Sequence, residues 1–139
     1  MNKIKTINEA VALIEDGMSI MIGGFMGTGN AHKLIDALVE KGVKDLTLIS
    51  SDTAWPENGV GKLVTNKMVK KIIASHIGLN PEAGRQMNEG ETEIVLVPQG
   101  TFVERIRCAG AGLGGFYTPT GVGTIVEEGK EKKIIDGKE

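Results

Sequence analysis

Gly23, Gly24, Gly27 and Gly29 fall together between a short apolar run, Met18 to Ile22, and a segment with helical apolar spacing, Ala31 to Lys41. A glycine-rich stretch between a strand and a helix is where an open α/β sheet receives a ligand, at the carboxyl end of the strand and facing the helix N-terminus. Without Cβ atoms the backbone can come close to phosphate or acyl oxygens. The spacing is not that of a phosphate loop, because no Gly-Lys-Ser/Thr follows. Gly24-x-x-Gly27-x-Gly29 also reverses the Gly-x-Gly-x-x-Gly order of a dinucleotide fingerprint. Asp52 lies at about the ~20-residue distance at which a ribose-binding acid follows such a loop, whereas Asp45 precedes the second strand. On spacing alone, a ligand loop and a tight, closely packed turn are equally good readings.

Other reactive side chains are sparse. His76 ends an apolar run and carries a ring suited to acid–base work, but it has no acid–base partner nearby in sequence and reads as structural. His32 sits on a helix face, and no metal-ligand spacing joins the two histidines. Cys108 has Arg105 and Arg107 beside it, neighbours that favour a reactive thiol; a small core residue is the simpler reading. The two arginines could meet phosphates or line a solvated helix face. Glu57 stands in Pro56-Glu57-Asn58-Gly59, a loop sequence that reads as surface.

These residues need elements to hold them. Thr6 and Glu9 form a capping-box pair ahead of Ala10, Val11, Leu13 and Ile14, which predicts a first helix ended by Asp16-Gly17. Met18 to Ile22 predicts a buried strand. Leu34, Ile35, Leu38 and Val39 predict a helix over 31–41, stopped by Gly42. Leu46 to Ser50 predicts a second strand, Gly59 to Thr65 a short helix and Val69 to Ser75 a third strand. Asn80-Pro81 opens a helix and Gly90 closes it. Glu93 to Val97 predicts a fourth strand, cut by Pro98, and Thr101 to Ala109 a further helix. Ile125-Val126 and Ile134-Ile135 predict a terminal hairpin. Strands alternating with helices imply a parallel α/β sheet, since parallel strands need crossovers.

Composition narrows the class. The chain has 139 residues, 40% hydrophobic and 24% charged, with a net charge of −2. That is one ordinary globular domain, not a disordered chain and not a strongly basic nucleic-acid binder. No apolar run reaches membrane-spanning length and no charged leader precedes an apolar core, so neither a membrane nor an export role is expected. A single cysteine suits a reducing, cytoplasmic location. Twenty glycines, against only 4% aromatics, mean many close backbone approaches between apolar runs.

The residues then become recognisable. Asp16-Gly17-x-x-Ile20-Met21-Ile22-Gly23-Gly24-Phe25-x-x-x-Gly29 resembles the first signature of the family I (3-oxoacid) coenzyme A transferases. Three further blocks agree in order: Ala74-Ser75-His76-Ile77-Gly78, Pro98-Gln99-Gly100-Thr101, and Ala109-Gly110-Ala111-Gly112 running to Tyr117-Thr118-Pro119-Thr120-Gly121. The resemblance spans essentially the whole chain. It is to the alpha (A) subunits of the acetate/butyrate–acetoacetate type and to the N-terminal half of the succinyl-CoA:3-oxoacid type.

The resemblance implies a three-layer αβα sandwich with a mostly parallel, Rossmann-related sheet, residues 1–139 being one alpha-type domain that lacks its C-terminal part. It implies transfer of coenzyme A between short-chain acyl-CoA or acetoacetyl-CoA and a carboxylate acceptor. A glutamate attacks the acyl-CoA carbonyl, CoA thiolate opens the resulting anhydride to a glutamyl-CoA thioester, and a second carboxylate takes the CoA by the reverse route. That glutamate belongs to a partner beta subunit, in a Ser-Glu-Asn-Gly motif, so a hetero-oligomer is expected. Pro56 replaces the serine in this chain's lookalike. No metal and no tightly bound cofactor is expected; coenzyme A is a substrate. Gly23, Gly24, Phe25, Met26, Gly27, Thr28 and Gly29 are the implied CoA-binding stretch, which could instead shape the acyl pocket; Phe25 reads as a packing residue rather than a platform for adenine. Gln99 is the implied catalytic residue, its amide stabilising the oxyanion. Ala31 replaces the signature's closing Pro, and Ser51 stands where the 3-oxoacid enzymes carry an Asn. The alternatives from other classes are a dinucleotide-binding Rossmann-type module and a non-catalytic fragment.

Overall fold

The computed structural model describes residues 3–138. Residues up to Leu96 form one compact unit, and those from Val97 onward a second. In the first unit the strands are β1 (Ser19–Met21), β2 (Leu46–Ile49), β3 (Val69–Ala74) and β4 (Glu93–Leu96). They form one parallel sheet in the order β1-β2-β3-β4. Between them run α2 (His32–Lys41), α3 (Gly61–Thr65) and α4 (Pro81–Asn88), with α1 (Ile7–Ala12) ahead of β1. Each crossover moves one strand further in the same direction. Right-handed crossovers that never reverse put the connecting helices of this unit on one face, and α1, α2, α3 and α4 pack in that order.

The strand sequences agree with this one-sided cover. Leu46 and Leu48 of β2, and Val69, Ile72 and Ala74 of β3, are buried in the main core, while Thr47, Ile49, Lys71 and Ile73 are only half-buried. The register is Ser19↔Thr47 and Met21↔Ile49 across β1–β2, and Lys71↔Glu93 and Ala74↔Leu96 across β3–β4. Lys71 and Glu93 form an ion pair at 2.7 Å across that rung. Lys70 is bulged out where β2 shifts from pairing with Val69 to pairing with Lys71. The parallel α/β class expected from the sequence holds.

The helix ends follow local chemistry. Thr6 Oγ1 accepts from the Glu9 amide, and Glu9 returns a bond to the Thr6 amide at 2.8 Å, which holds the Glu9 carboxyl below its ordinary range. The expected apolar face extends to Ile14, but α1 stops at Ala12. Lys41 takes over its C-terminus, donating to the carbonyls of Val11, Ala12 and Ile14. A cation there completes carbonyls that the helix cannot. Gly42 ends α2 at φ 72°, with its amide on Leu38 and Val39.

At the amino-terminal rim of the sheet a buried amide joins three elements. Gln86 of α4 donates to the Val64 carbonyl at 2.9 Å and accepts from Thr92 Oγ1 at 2.8 Å, and Thr92 also reaches the Val69 carbonyl. Arg85 beside it binds Glu82, Glu89 and Glu91. Hydrogen bonds from Arg85, then from Gln86 and Lys67 respectively, hold Glu82 and Glu91 down at about 2.

The second unit holds α5 (Gln99–Gly110), which starts two residues earlier than expected, and a 3₁₀ turn, Ile125–Glu127. The expected hairpin of Ile125-Val126 with Ile134-Ile135 is not formed. Thr124 Oγ1 accepts from the Val126 amide and starts the tight turn instead. Two apolar residues flanked by charges are too short a pattern to hold a ladder in register. The hairpin-like contact lies later: Ile135 and Lys138 exchange both backbone bonds around Asp136-Gly137, both at positive φ, the two-residue turn that Asp-Gly favours. Among the described residues no helix is long and apolar enough to cross a membrane.

The Arg85 cluster sets an acid response. Glu82 and Glu91 have folded-state pKa values near 2 against an ordinary 4.5, so their stabilising effect is complete above about pH 4.5 and fades as the pH falls towards 2. Urea midpoints measured at pH 7 and pH 3 should fall with acid in the parent chain. Arg85→Met should lower the pH 7 midpoint and flatten the drop; an equal acid loss in both chains would reject the assignment.

Candidate functional site

The glycine stretch leaves β1 and enters α2 at the carboxyl end of the sheet. Phe25 and Thr28 exchange both backbone bonds, at 3.0 and 2.9 Å, and close a two-residue turn over Met26 (φ 55°) and Gly27 (φ 84°). Two successive positive φ values mark a primed hairpin turn. Its outer surface is formed by Phe25, Met26, Thr28 and Gly29, all exposed, while Gly27 is buried beneath. Phe25, expected to pack, is 52% exposed, because the turn carries it out past the end of the strand.

Three side chains secure this turn. Asn30, 8% exposed, donates from Nδ2 to the Gly23 carbonyl at 2.7 Å and accepts at Oδ1 from the Val60 amide at 2.9 Å. Asp52, fully buried, accepts the Met26 amide at Oδ2 at 2.8 Å. Asn58 donates to the Met26 carbonyl at 3.4 Å. The close approaches expected of the glycines are therefore largely to the protein itself. A Cβ on Gly24 would strike the Asn30 amide, one on Gly27 the Asn58 amide, and one on Gly59 the Asn30 carboxamide oxygen. Gly23 faces open space.

The same rim continues across the sheet. Ser50 Oγ donates to the Ile22 carbonyl at 2.9 Å, and Ser75 Oγ to the Ser51 carbonyl at 2.7 Å. Thr53 reaches the Ile77 carbonyl, and Asn80 the Thr53 carbonyl. Loops after β1, β2 and β3 are thus joined by side-chain bonds, with Ala54 buried at φ 48° among them. An apolar groove of about 240 Å³ is lined by residues of α1, β1, the glycine loop and α2, among them Ile14, Ile20, Gly23, Gly29 and Leu34.

Asp52 is enclosed and committed to the Met26 amide, so it is not available to a ribose hydroxyl, which removes the feature that suggested a dinucleotide module. Glu57 is exposed, and Asn58-Gly59 next to it serve the glycine loop. His76 is exposed, with its ring against Gly78. His32 is exposed at the start of α2, and no group of three His, Cys, Asp or Glu that could hold a metal occurs among the described residues. In the second unit Gln99 is exposed at the first position of α5, directly after Pro98. Cys108 is buried, with Sγ 3.9 Å from the Gly115 carbonyl. Arg107 is paired with Glu104 at 2.9 Å, which raises its already high pKa.

A family model for coenzyme A transferase matches residues 4–139. The chain belongs to the coenzyme A transferase family. It is 60% identical over 136 residues to the acetate CoA-transferase subunit alpha of Escherichia coli K12, covering 98% of this chain and 62% of that protein. It is 51% identical over 138 residues to the acetoacetyl-CoA:acetate/butyrate CoA transferase alpha subunit of Clostridium acetobutylicum, covering 99% and 63%. The chain thus spans a little over three fifths of these relatives. Among solved structures, an acyl-CoA transferase of E. coli O157:H7 in its thioester complex with CoA superposes with a TM-score of 0.74 at 26% identity, covering 88% of this chain and 25% of that one. A single-residue variant of the decarboxylase AibA/AibB superposes with a TM-score of 0.76 at 25% identity, covering 95% and 53%. One architecture thus carries more than one reaction, as folds do.

Sequence reasoning missed the supports of the loop in this coenzyme A transferase chain. An Asn just before a helix reads as an N-cap; here Ala31 is the cap residue, without a side-chain bond, and the Asn30 amide bridges two loops instead. Asn30→Ala should lower unfolding free energy by about 2–3 kcal/mol, because it strips partners from the Val60 amide and the Gly23 carbonyl. Urea unfolding with an unchanged slope measures this; a loss under about 0.5 kcal/mol, the range of a neutral surface change, would show the bridge to be incidental.

Proposed function

We propose that this chain is part of the alpha subunit of a transferase that moves coenzyme A between short-chain acyl-CoA or acetoacetyl-CoA and a carboxylate acceptor. The observation that carries this reading is 60% and 51% identity, over nearly all of the chain, to alpha subunits so named. In this reading residues 1–139 act as a single alpha-type domain, one portion of a longer subunit, in a cytoplasmic hetero-oligomer. CoA is a substrate and no cofactor is bound tightly. In this reading the partner beta subunit brings the glutamate, and Glu57 of this chain, exposed with a Pro before it, has no part in the reaction.

The roles follow from the chemistry. Attack of the partner's carboxylate on the acyl-CoA carbonyl forms a carbon–oxygen bond and pushes the carbonyl electrons onto oxygen. Collapse of that intermediate expels the CoA thiolate and leaves the anhydride. The thiolate then attacks the glutamyl carbonyl of the anhydride, releasing the free acid's carboxylate and forming the glutamyl thioester; a new carboxylate reverses the sequence. Each tetrahedral intermediate needs a donor for its oxyanion. Gln99 is assigned that task, since its amide N–H₂ is a neutral donor at the opening of α5. The stretch Gly23, Gly24, Phe25, Met26, Gly27, Thr28 and Gly29 is assigned to CoA, whose phosphates and amides suit a turn at the mouth of a helix.

The test is CoA transfer from acetoacetyl-CoA to acetate by this chain mixed with a matching beta subunit, beside each chain alone. Transfer is expected only in the mixture. Its absence, where a full-length alpha subunit restores it, would show that these 139 residues lack what the reaction needs. In the active mixture Gln99→Ala should lower kcat by about 10²–10³-fold, the loss typical of one oxyanion donor. An unchanged kcat would remove Gln99 from the mechanism.

A further inference from the structure

Met26 occupies a left-handed position, φ 55°, that a two-residue primed turn normally gives to Asn, Asp or Gly. A side chain with a Cβ is strained there and stays only when its surroundings impose the conformation. The surroundings are two bonds from the β2–α3 loop: the Asp52 carboxylate on the Met26 amide at 2.8 Å, and the Asn58 amide on the Met26 carbonyl at 3.4 Å. Asp52 is 0% exposed, and its second oxygen, Oδ1, is buried with no hydrogen-bond partner among the described residues. Burying a carboxylate is costly unless its bonds hold something the fold or the site needs. The bond this one makes goes to the single strained non-glycine residue of the glycine loop.

We infer that Asp52 is a positioning residue: its carboxylate clamps the Met26–Gly27 corner in the conformation in which the loop meets coenzyme A. The inference rests on the reading of Gly23 to Gly29 as the CoA-binding stretch. Met26 is 39% exposed at the crest of the turn, so the clamp sets where its side chain and the neighbouring Phe25 and Thr28 stand. Glycine at position 26 would adopt the same φ unaided. The clamp therefore makes a specific claim: the need for Asp52 depends on the residue at 26.

A double-mutant cycle reads this directly. Asp52→Ala should raise KM for acetoacetyl-CoA in the assembled enzyme by about tenfold or more, with kcat changed less than about threefold. In the chain by itself it should speed hydrogen exchange at the Thr28 amide, which closes the turn onto Phe25. Both effects should shrink several-fold when Asp52→Ala is made in a Met26→Gly background. Asp52→Asn, which keeps an acceptor for the Met26 amide, should rescue much of both. Unchanged KM and Thr28 exchange in Asp52→Ala, or losses of equal size in both backgrounds, would overturn the clamp. Where Asp52→Ala alone does not fold, a folded Met26→Gly/Asp52→Ala chain supports the coupling and an unfolded one overturns it. A parent mixture that transfers no CoA would instead remove the functional reading, and Thr28 exchange would still decide whether Asp52 holds the turn.

Discussion

The carboxamide of Asn30 is the link from which the loop rim of the first unit is built. It reaches back to the Gly23 carbonyl and across to the Val60 amide, so the loop after β1 and the loop after β2 cannot shift independently. Both neighbouring backbones are shaped around it, since Gly24 and Gly59 leave the space that its side chain fills. A buried amide with both ends satisfied has few alternative arrangements, because any movement that breaks one bond leaves a desolvated group behind. That is what lets a loop rich in glycine, the residue with most freedom to lose, hold one shape.

Asp52 and Asn58 extend the constraint to the crest of the turn, and the Ser75, Thr53 and Asn80 bonds carry it on to the loop after β3. A short parallel sheet, with β1 only three residues long, supplies little rigidity at this rim. The side-chain bonds supply it instead. Precise positioning of binding groups depends on such support more than on the groups themselves.

The Pro56-Glu57-Asn58-Gly59 segment illustrates the difference between a motif and its context. Read as letters, it is one residue from the Ser-Glu-Asn-Gly motif that the family resemblance gives to a partner's nucleophile. In space, Asn58 lies under Gly27 and Gly59 yields to Asn30, while the carboxylate of Glu57 is exposed. The family resemblance drawn from four sequence blocks holds for residues 4–139 as a coenzyme A transferase. The likeness of the same fold to a decarboxylase shows why the architecture alone names no reaction.

Much was determined by the sequence by itself. The four strands, the order of helices between them, the Thr6–Glu9 box, the Asn80-Pro81 start and the Gly42 stop all follow from short-range pattern and capping, and each is present. So were the family blocks, because they are contiguous along the chain. Three things were decided only by tertiary structure. Ile125-Val126 and Ile134-Ile135 of the second unit do not make a hairpin, since a strand requires a partner in register and a local turn at Thr124 competes. Asn30 carries no mark of a bridge in the sequence, since Val60 reaches it only once β2 and α3 are in place. Asp52 looked like a ribose-binding acid and is enclosed, since its bond to the Met26 amide spans 26 residues of chain. The physical reason is common to the last two: local propensity sees neighbours in sequence, whereas a buried polar group takes whatever partner the fold brings within hydrogen-bonding distance.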